Sequence, residues 1–279
     1  MSRRALLASA ASLASPGAQK KPPVSVGLQI YSLRREAGED LPGTLALIRR
    51  LGFEEVEVPE LYGRSAAEFR RLLDDSGLKA TSMGADFARL DGDLERIAEE
   101  AHQLGALFVV CGTIPHRTYL TAEECLRGAE ALNRFGELLS KSGLHCCYHT
   151  HGTEFGQDGE GTVFDRLVGL CDPRFVNFEV DIFWIVYARQ DPVALLRRYP
   201  GRFPLMHVKD IRKGTVLGGL PRDVREEESV PLGTGLVDVA ASLKAGLETG
   251  VRHYYLEDEA VDAVRQIPES LRFLNRIRW

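Results

Sequence analysis

The sequence predicts one α/β domain, a (β/α)8 TIM barrel. Three observations carry that prediction. Short apolar runs alternate with 3.6-periodic runs eight times after residue 23. The eight units fill about 255 residues, the usual size of one such barrel. The turn after the first strand, Val26-Gly27-Leu28-Gln29-Ile30, has no G-x-G-x-x-G, and the chain has neither a P-loop nor a G-x-S-x-G elbow. That disfavours a nucleotide-binding sheet or an α/β-hydrolase.

The elements follow in order. Strand one is read over 24–33, then a helix over 41–51 stopped by Gly52. Strand two covers 54–58, and its helix 66–76 stops at Gly77. Strand three covers 79–84, with a helix over 93–104 before Gly105. Strand four covers 106–111, with the longest helix over 122–142 before Gly143. Glycine after the last periodic residue supplies the left-handed conformation that ends a helix. In the second half, strands are read at 144–151, 175–183, 203–211 and 253–258. The matching helices are 163–171, 192–199, 237–249 and 261–276. One segment, 212–235, is long, charged and glycine-rich, and is read as either a lid over the catalytic face or a disordered excursion, the lid being preferred.

Residues 1–18 read as an address. Arg3-Arg4 precede a mildly apolar run, Ala5 to Ala14, and a small-residue site ends at Ala18. This is the pattern of a secretory signal of the twin-arginine kind, and it implies an exported, periplasmic protein. Residues 19–23 form a linker, and 24–279 the barrel. The apolar run has about half the roughly twenty residues a membrane span needs, so the mature chain is expected to have no span.

Net charge is −5, with 35 Lys+Arg against 40 Asp+Glu. An acidic chain without clustered Lys/Arg is expected to bind no nucleic acid. At 44% hydrophobic, the chain is not disordered. The five cysteines, at 111, 125, 146, 147 and 171, have no C-x-x-C spacing and are read as buried small hydrophobes. Oligomeric state is open, a homo-oligomer included.

The chemistry gathers where four consecutive strands end. Strand five ends His149-Thr150-His151-Gly152-Thr153-Glu154, and strand six contains Glu179-Val180-Asp181-Ile182-Phe183-Trp184. Strand seven ends His207-Val208-Lys209-Asp210, and strand eight Glu257-Asp258-Glu259. Residues two apart share a face, so His149 points with His151, His207 with Lys209, and Glu257 with Glu259. Asp, His and Glu converging from neighbouring strands form a mixed nitrogen and oxygen ligand set for a divalent ion. Burying so many carboxylates without one would be costly.

The H-x-H-x-x-E-F segment at 149–155, the D-x-x-W segment at 181–184, the H-V-K-D segment at 207–210 and Gly233-Thr234-Gly235 resemble the xylose-isomerase-like TIM-barrel superfamily. They are similar to its sugar phosphate isomerase/epimerase proteins, a group with inosose dehydratases, ketose 3-epimerases and abasic-site endonucleases. The resemblance covers nearly all of the mature chain. It implies one divalent ion (Mn, Mg, Co or Zn) on a Glu, Asp, His, Glu set. Asp181, His207 and Glu257 match three of those positions. At the first, His149 stands where the epimerases have glutamate. Either Glu154 reaches back to complete the set or His149 serves as a nitrogen ligand; Glu154 is preferred. Trp184 replaces the histidine that the endonucleases carry three residues after the aspartate, and their trinuclear site is not expected.

The implied chemistry is proton abstraction next to the carbonyl of a small-molecule carbohydrate. Glu257 is the expected base, with Glu154 or His149 opposing it. His151 and Lys209 are expected to hold substrate oxygens. Trp184 and Phe155 would form an apolar wall, with Glu57 and Tyr31 further into the pocket. Return of the proton makes an isomerase or epimerase acting on a sugar or keto-sugar. Loss of a β-substituent makes a lyase or hydratase acting on 3-keto-glycosides or cyclitols. A carbohydrate-binding barrel without catalysis is the third reading.

Overall fold

A computed structural model describes residues 24–278. The leader expected over 1–18 and the linker expected over 19–23 lie outside the described residues. Eight parallel strands close into a barrel: β1 (Val26–Gln29), β2 (Glu55–Val58), β3 (Lys79–Ala85), β4 (Phe108–Cys111), β5 (His145–His149), β6 (Val176–Asp181), β7 (Leu205–Val208) and β8 (His253–Leu256). Each pairs with its neighbours in sequence, and β1 closes the ring against β8. This is the predicted single-domain (β/α)8 barrel.

Helix starts and stops follow their local chemistry. Helix Ala66–Ser76 opens on a Ser65–Glu68 capping box and ends at Gly77, whose φ is +67°. Helix Ala122–Lys141 opens on the Thr121–Glu124 box. The apolar faces of the helices pack on the outside of the barrel around Leu45, Phe69, Ile97, Leu132, Leu167 and Leu243. None of the described helices is long and apolar enough to cross a membrane.

Inside the barrel a separate cluster of Phe108, Val110, Cys147, Leu205 and Tyr255 fills the lumen beneath the mouth. The Tyr255 hydroxyl lies 2.6 Å from Thr81 Oγ1 and 3.0 Å from Ser82 Oγ. Gly27 makes room for that ring. A Cβ there would sit 3.1 Å from Tyr255 Cδ1 and 2.7 Å from the Glu55 carbonyl oxygen.

Several boundaries differ from the sequence reading, and three of the differences have a plain local reason. β6 ends at Asp181, because the Asp181 side chain caps a helix over Ile182–Tyr187 that the apolar run had disguised as strand. The first strand stops at Gln29, whose side chain caps a 3-10 turn over Ile30–Leu33. Asp93 separates a short helix, Phe87–Gly92, from Leu94–Leu104. The excursion after β7 is tied down at both ends. Asp210–Ile211 pair antiparallel with Ser229–Val230. The Asp210 carboxylate accepts from the amides of Ile211, Gly233, Gly235 and Val237 at 2.9–3.0 Å. Gly235 packs so closely on Ile211 and Asp210 that a side chain there would collide with both. In mid-segment, Glu226 pairs with Arg34 and Arg35 at 2.6 and 2.7 Å.

Candidate metal centre

Strand register assembles the centre. Gln29 lies opposite Glu57, His149 opposite Glu179, and Asp181 opposite His207. A register shift between β2 and β3 sets Glu57 beside Ser82. All of these side chains are buried at the carboxyl ends of the strands, the catalytic face of such barrels.

Two imidazoles stand at the middle, with ring centroids 4.5 Å apart. His149 Nδ1 is 2.7 Å from Glu179 Oε2, and its Nε2 is 3.8 Å from Asp181 Oδ2. His207 Nε2 is 2.9 Å from Glu57 Oε1, while its Nδ1 lies 3.1 Å from Glu257 Oε2 and 3.8 Å from Asp181 Oδ2. Each ring thus rests one nitrogen on a buried glutamate and turns the other toward Asp181. Glu57 is held in turn by Gln29 Nε2 at 2.5 Å and by the Ser82 hydroxyl. Asp181 Oδ1 accepts from the amides of Phe183 and Trp184 at 2.9 and 3.4 Å.

Asp181 Oδ2, Glu179 Oε1 and His207 Nδ1 are buried without a hydrogen-bond partner. The short approach of His207 Nδ1 to Glu257 does not have hydrogen-bond geometry. A buried polar atom left in that state costs about 1–3 kcal/mol. One ligand atom from each of Asp181, His207 and Glu257 lies within 4.8 Å of the others, as does one from each of His149, Glu179 and His207. Orphaned carboxylate and imidazole atoms converging at that spacing fit a divalent ion, which would satisfy them together.

The electrostatics agree with a site built for positive charge. Burial pushes Asp181 up to about 7, against the pull of Lys209. Burial and the neighbouring Glu57 push Glu179 well above the carboxylate range. Burial would raise Glu257 too, but Lys209 and His207 outweigh it and hold Glu257 well below the usual range. Burial would lower His207, and the surrounding Glu179, Glu257 and Glu57 reverse that. His149 is driven well down by burial, and His151 to about 4, again chiefly by burial. Lys209 Nζ lies 3.5 Å from Glu257 Oε2, pairs closely with Glu259, and sits 4.7 and 5.2 Å from the Phe183 and Trp184 ring centroids.

Above the centre is a cavity of about 370 Å³, lined in part by Tyr31, Glu57, His149, His151, Trp184 and Glu257. The structure therefore brings together most of the residues singled out from sequence. Two stand apart. Glu154 does not reach the centre: Gly152, at φ +87°, turns the chain into a 3-10 helix, Thr153–Phe155, and the Glu154 carboxylate instead accepts from the Tyr148 hydroxyl at 2.5 Å. Phe155 packs on Phe164, 5.1 Å between centroids, and lines a different surface pocket. Glu57 borders the cavity, but its hydrogen bonds go to Gln29, Ser82 and His207 rather than outward. Glu179 was missed from sequence. It sits two residues before Asp181, and the period of two puts both inside the barrel.

Comparison with known proteins agrees with this architecture. The family model for the xylose isomerase-like TIM barrel matches residues 45–277. A sugar phosphate isomerase/epimerase from Parabacteroides distasonis ATCC 8503 is similar in structure, with a TM-score of 0.74 and 25% identity over 95% of this chain and 96% of that one. In sequence, the chain is similar to the inosose dehydratase of Geobacillus kaustophilus (strain HTA426), 27% identical over 205 residues, 62% of this chain and 66% of the relative. It is also similar to inosose dehydratase 2 of Bacillus cereus (strain ZK / E33L), 30% identical over 186 residues, 59% of this chain and 61% of the relative. The matches span just under two-thirds of the length of these curated relatives. On its closed parallel barrel and the extent of the family match, the chain belongs to the xylose isomerase-like TIM barrel family.

Proposed function

We propose that this protein is a divalent-metal-dependent isomerase or epimerase that removes the proton next to the carbonyl of a sugar or keto-sugar. The supporting observation is the set of orphaned buried atoms of Asp181 and His207 beside Glu257 at the catalytic face. When bound there, a divalent ion polarises a carbonyl and its adjacent hydroxyl and acidifies the C–H between them.

The chain's own groups supply the rest. Glu257, kept ionised by Lys209 and His207, accepts the proton at a carboxylate oxygen. Lys209, buried against Glu257 and Glu259, adds positive charge that offsets the negative charge developing on the substrate oxygen. His151, kept neutral by burial, stands beside His149 with centroids 4.3 Å apart and holds a hydroxyl. Trp184, almost fully buried at the cavity wall, offers an apolar face to the sugar ring and keeps water from the reacting carbon.

A second reading, elimination of a β-substituent, has specific support. The curated relatives are inosose dehydratases. Past His151 an adjoining cavity of about 220 Å³, bordered by Thr113, His116, Arg117 and Arg222, gives room for a leaving group. The arginine-led N-terminus further supports an exported enzyme.

The test is proton exchange in D2O, followed by NMR, on zinc-, cobalt- or manganese-loaded protein with a panel of ketoses, inososes and 3-keto-glycosides. Metal-dependent deuterium uptake at the α-carbon with the skeleton intact supports the isomerase. Uptake with loss of water or aglycone supports elimination. No exchange across the panel overturns both and leaves a carbohydrate-binding barrel.

A further inference from the structure

We infer that His149 is the fourth ligand of the centre, with Glu179 as the positioning residue that makes it one, so that the ion is held by two nitrogens and two carboxylates. The inference rests on the metal-dependent reading and deepens it.

The argument is the parallel between the two histidines. His207 rests Nε2 on Glu57 and presents Nδ1 to Asp181 and Glu257. His149 rests Nδ1 on Glu179 and presents Nε2 to Asp181. The 2.7 Å contact to Glu179 occupies Nδ1 of His149, and a ring nitrogen that donates to a carboxylate leaves the opposite nitrogen with the lone pair. A histidine oriented in this way by a carboxylate is the usual arrangement behind a metal-bound imidazole. Glu154, the other candidate, gives Oε1 to the Tyr148 hydroxyl and lies outside both ligand groups, whereas His149 belongs to the group that shares His207 with Asp181 and Glu257.

The donor set predicts the ion. Imidazole nitrogens favour zinc, cobalt and similar ions, whereas all-oxygen sites suit magnesium and manganese. Two nitrogens therefore bias this centre toward zinc or cobalt and away from magnesium.

The test uses the purified full chain, stripped with chelator and titrated with zinc against a chromophoric competitor. Cobalt absorption spectra and metal content by mass spectrometry are recorded in parallel. The wild type is expected to take one zinc per chain in excess magnesium. Glu179→Gln should weaken zinc by about 10–100-fold. His149→Ala should change the cobalt spectrum, because a nitrogen donor is lost. His149→Glu sets a new carboxylate against Glu179, so adding Glu179→Gln to it should strengthen binding again. That pair keeps the test decisive if Glu179→Gln alone folds poorly. Unchanged zinc affinity in Glu179→Gln, or an unchanged cobalt spectrum in His149→Ala, overturns this inference alone. A wild type that takes no ion overturns the proposed function with it.

Discussion

Asp181 accepts a hydrogen bond from the Phe183 amide at 2.9 Å through Oδ1 and leaves Oδ2 buried and unpartnered. One carboxylate therefore starts a helix and faces the candidate metal centre. The two roles separate by mutation. Asp181→Asn keeps a capping oxygen, so we expect near-normal thermal stability with zinc binding weakened at least about tenfold. Asp181→Ala loses the cap as well, worth about 1 kcal/mol. Thermal melts with metal content on both variants check this; equal melting temperatures would show that the cap carries no weight.

Lys209 is the positive partner of two acidic groups in a nearly sealed position. Removing one member of a buried pair leaves the others uncompensated, at a cost of about 3–5 kcal/mol. Lys209→Met should therefore lower the urea midpoint and slow α-proton exchange by about 10²–10⁴-fold. A variant as stable as the wild type would mean that Glu257 and Glu259 find other partners.

Gly27→Ala tests the lumen. Its new methyl would press on Tyr255 and on the Glu55 carbonyl oxygen. Overpacking of this kind costs about 1–3 kcal/mol, read as a lower denaturation midpoint at unchanged slope. A loss below about 0.5 kcal/mol would show that β1 and β2 can part to accept it.

Glu154 gives a pH dependence. Burial raises its carboxyl above the usual value. The folded state therefore holds the proton more tightly than the unfolded chain. That contribution is fully present below the unfolded value of about 4.3 and is lost as pH rises through the folded one. Glu154→Gln cannot ionise, so its stability relative to the wild type should improve from pH 4 to pH 8. A difference that is flat with pH would count against a raised Glu154.

The barrel was legible because its rhythm is local: apolar strands, 3.6-periodic helices and glycine stops. Asp181, His207 and Glu257 were legible because charged groups at strand ends have few bland uses in a sealed lumen. Glu179 was hidden by a more conspicuous neighbour two residues on. Glu154 misled because distance along the chain says nothing about direction, and a left-handed Gly152 turned it toward Tyr148. Ile182 and Phe183 look like strand in any apolar run; only the Asp181 cap makes them helix. The pairing of each histidine with a glutamate comes from strand register, which one sequence does not display.

The clip formed by Asp210 has a consequence for how this protein can change. Its carboxylate gathers the amides of Gly233, Gly235 and Val237, so the chain leaves the barrel and returns to it at nearly one point. Loop closure is already met by that clip and by the Asp210–Ile211 ribbon, and added length costs little when the ends are fixed. The stretch between is an exchangeable cassette. It carries Leu220, Pro221 and Arg222 to the rim of the mouth, so a change in its length or sequence reshapes that rim while the strands that carry the candidate metal centre stay as they are.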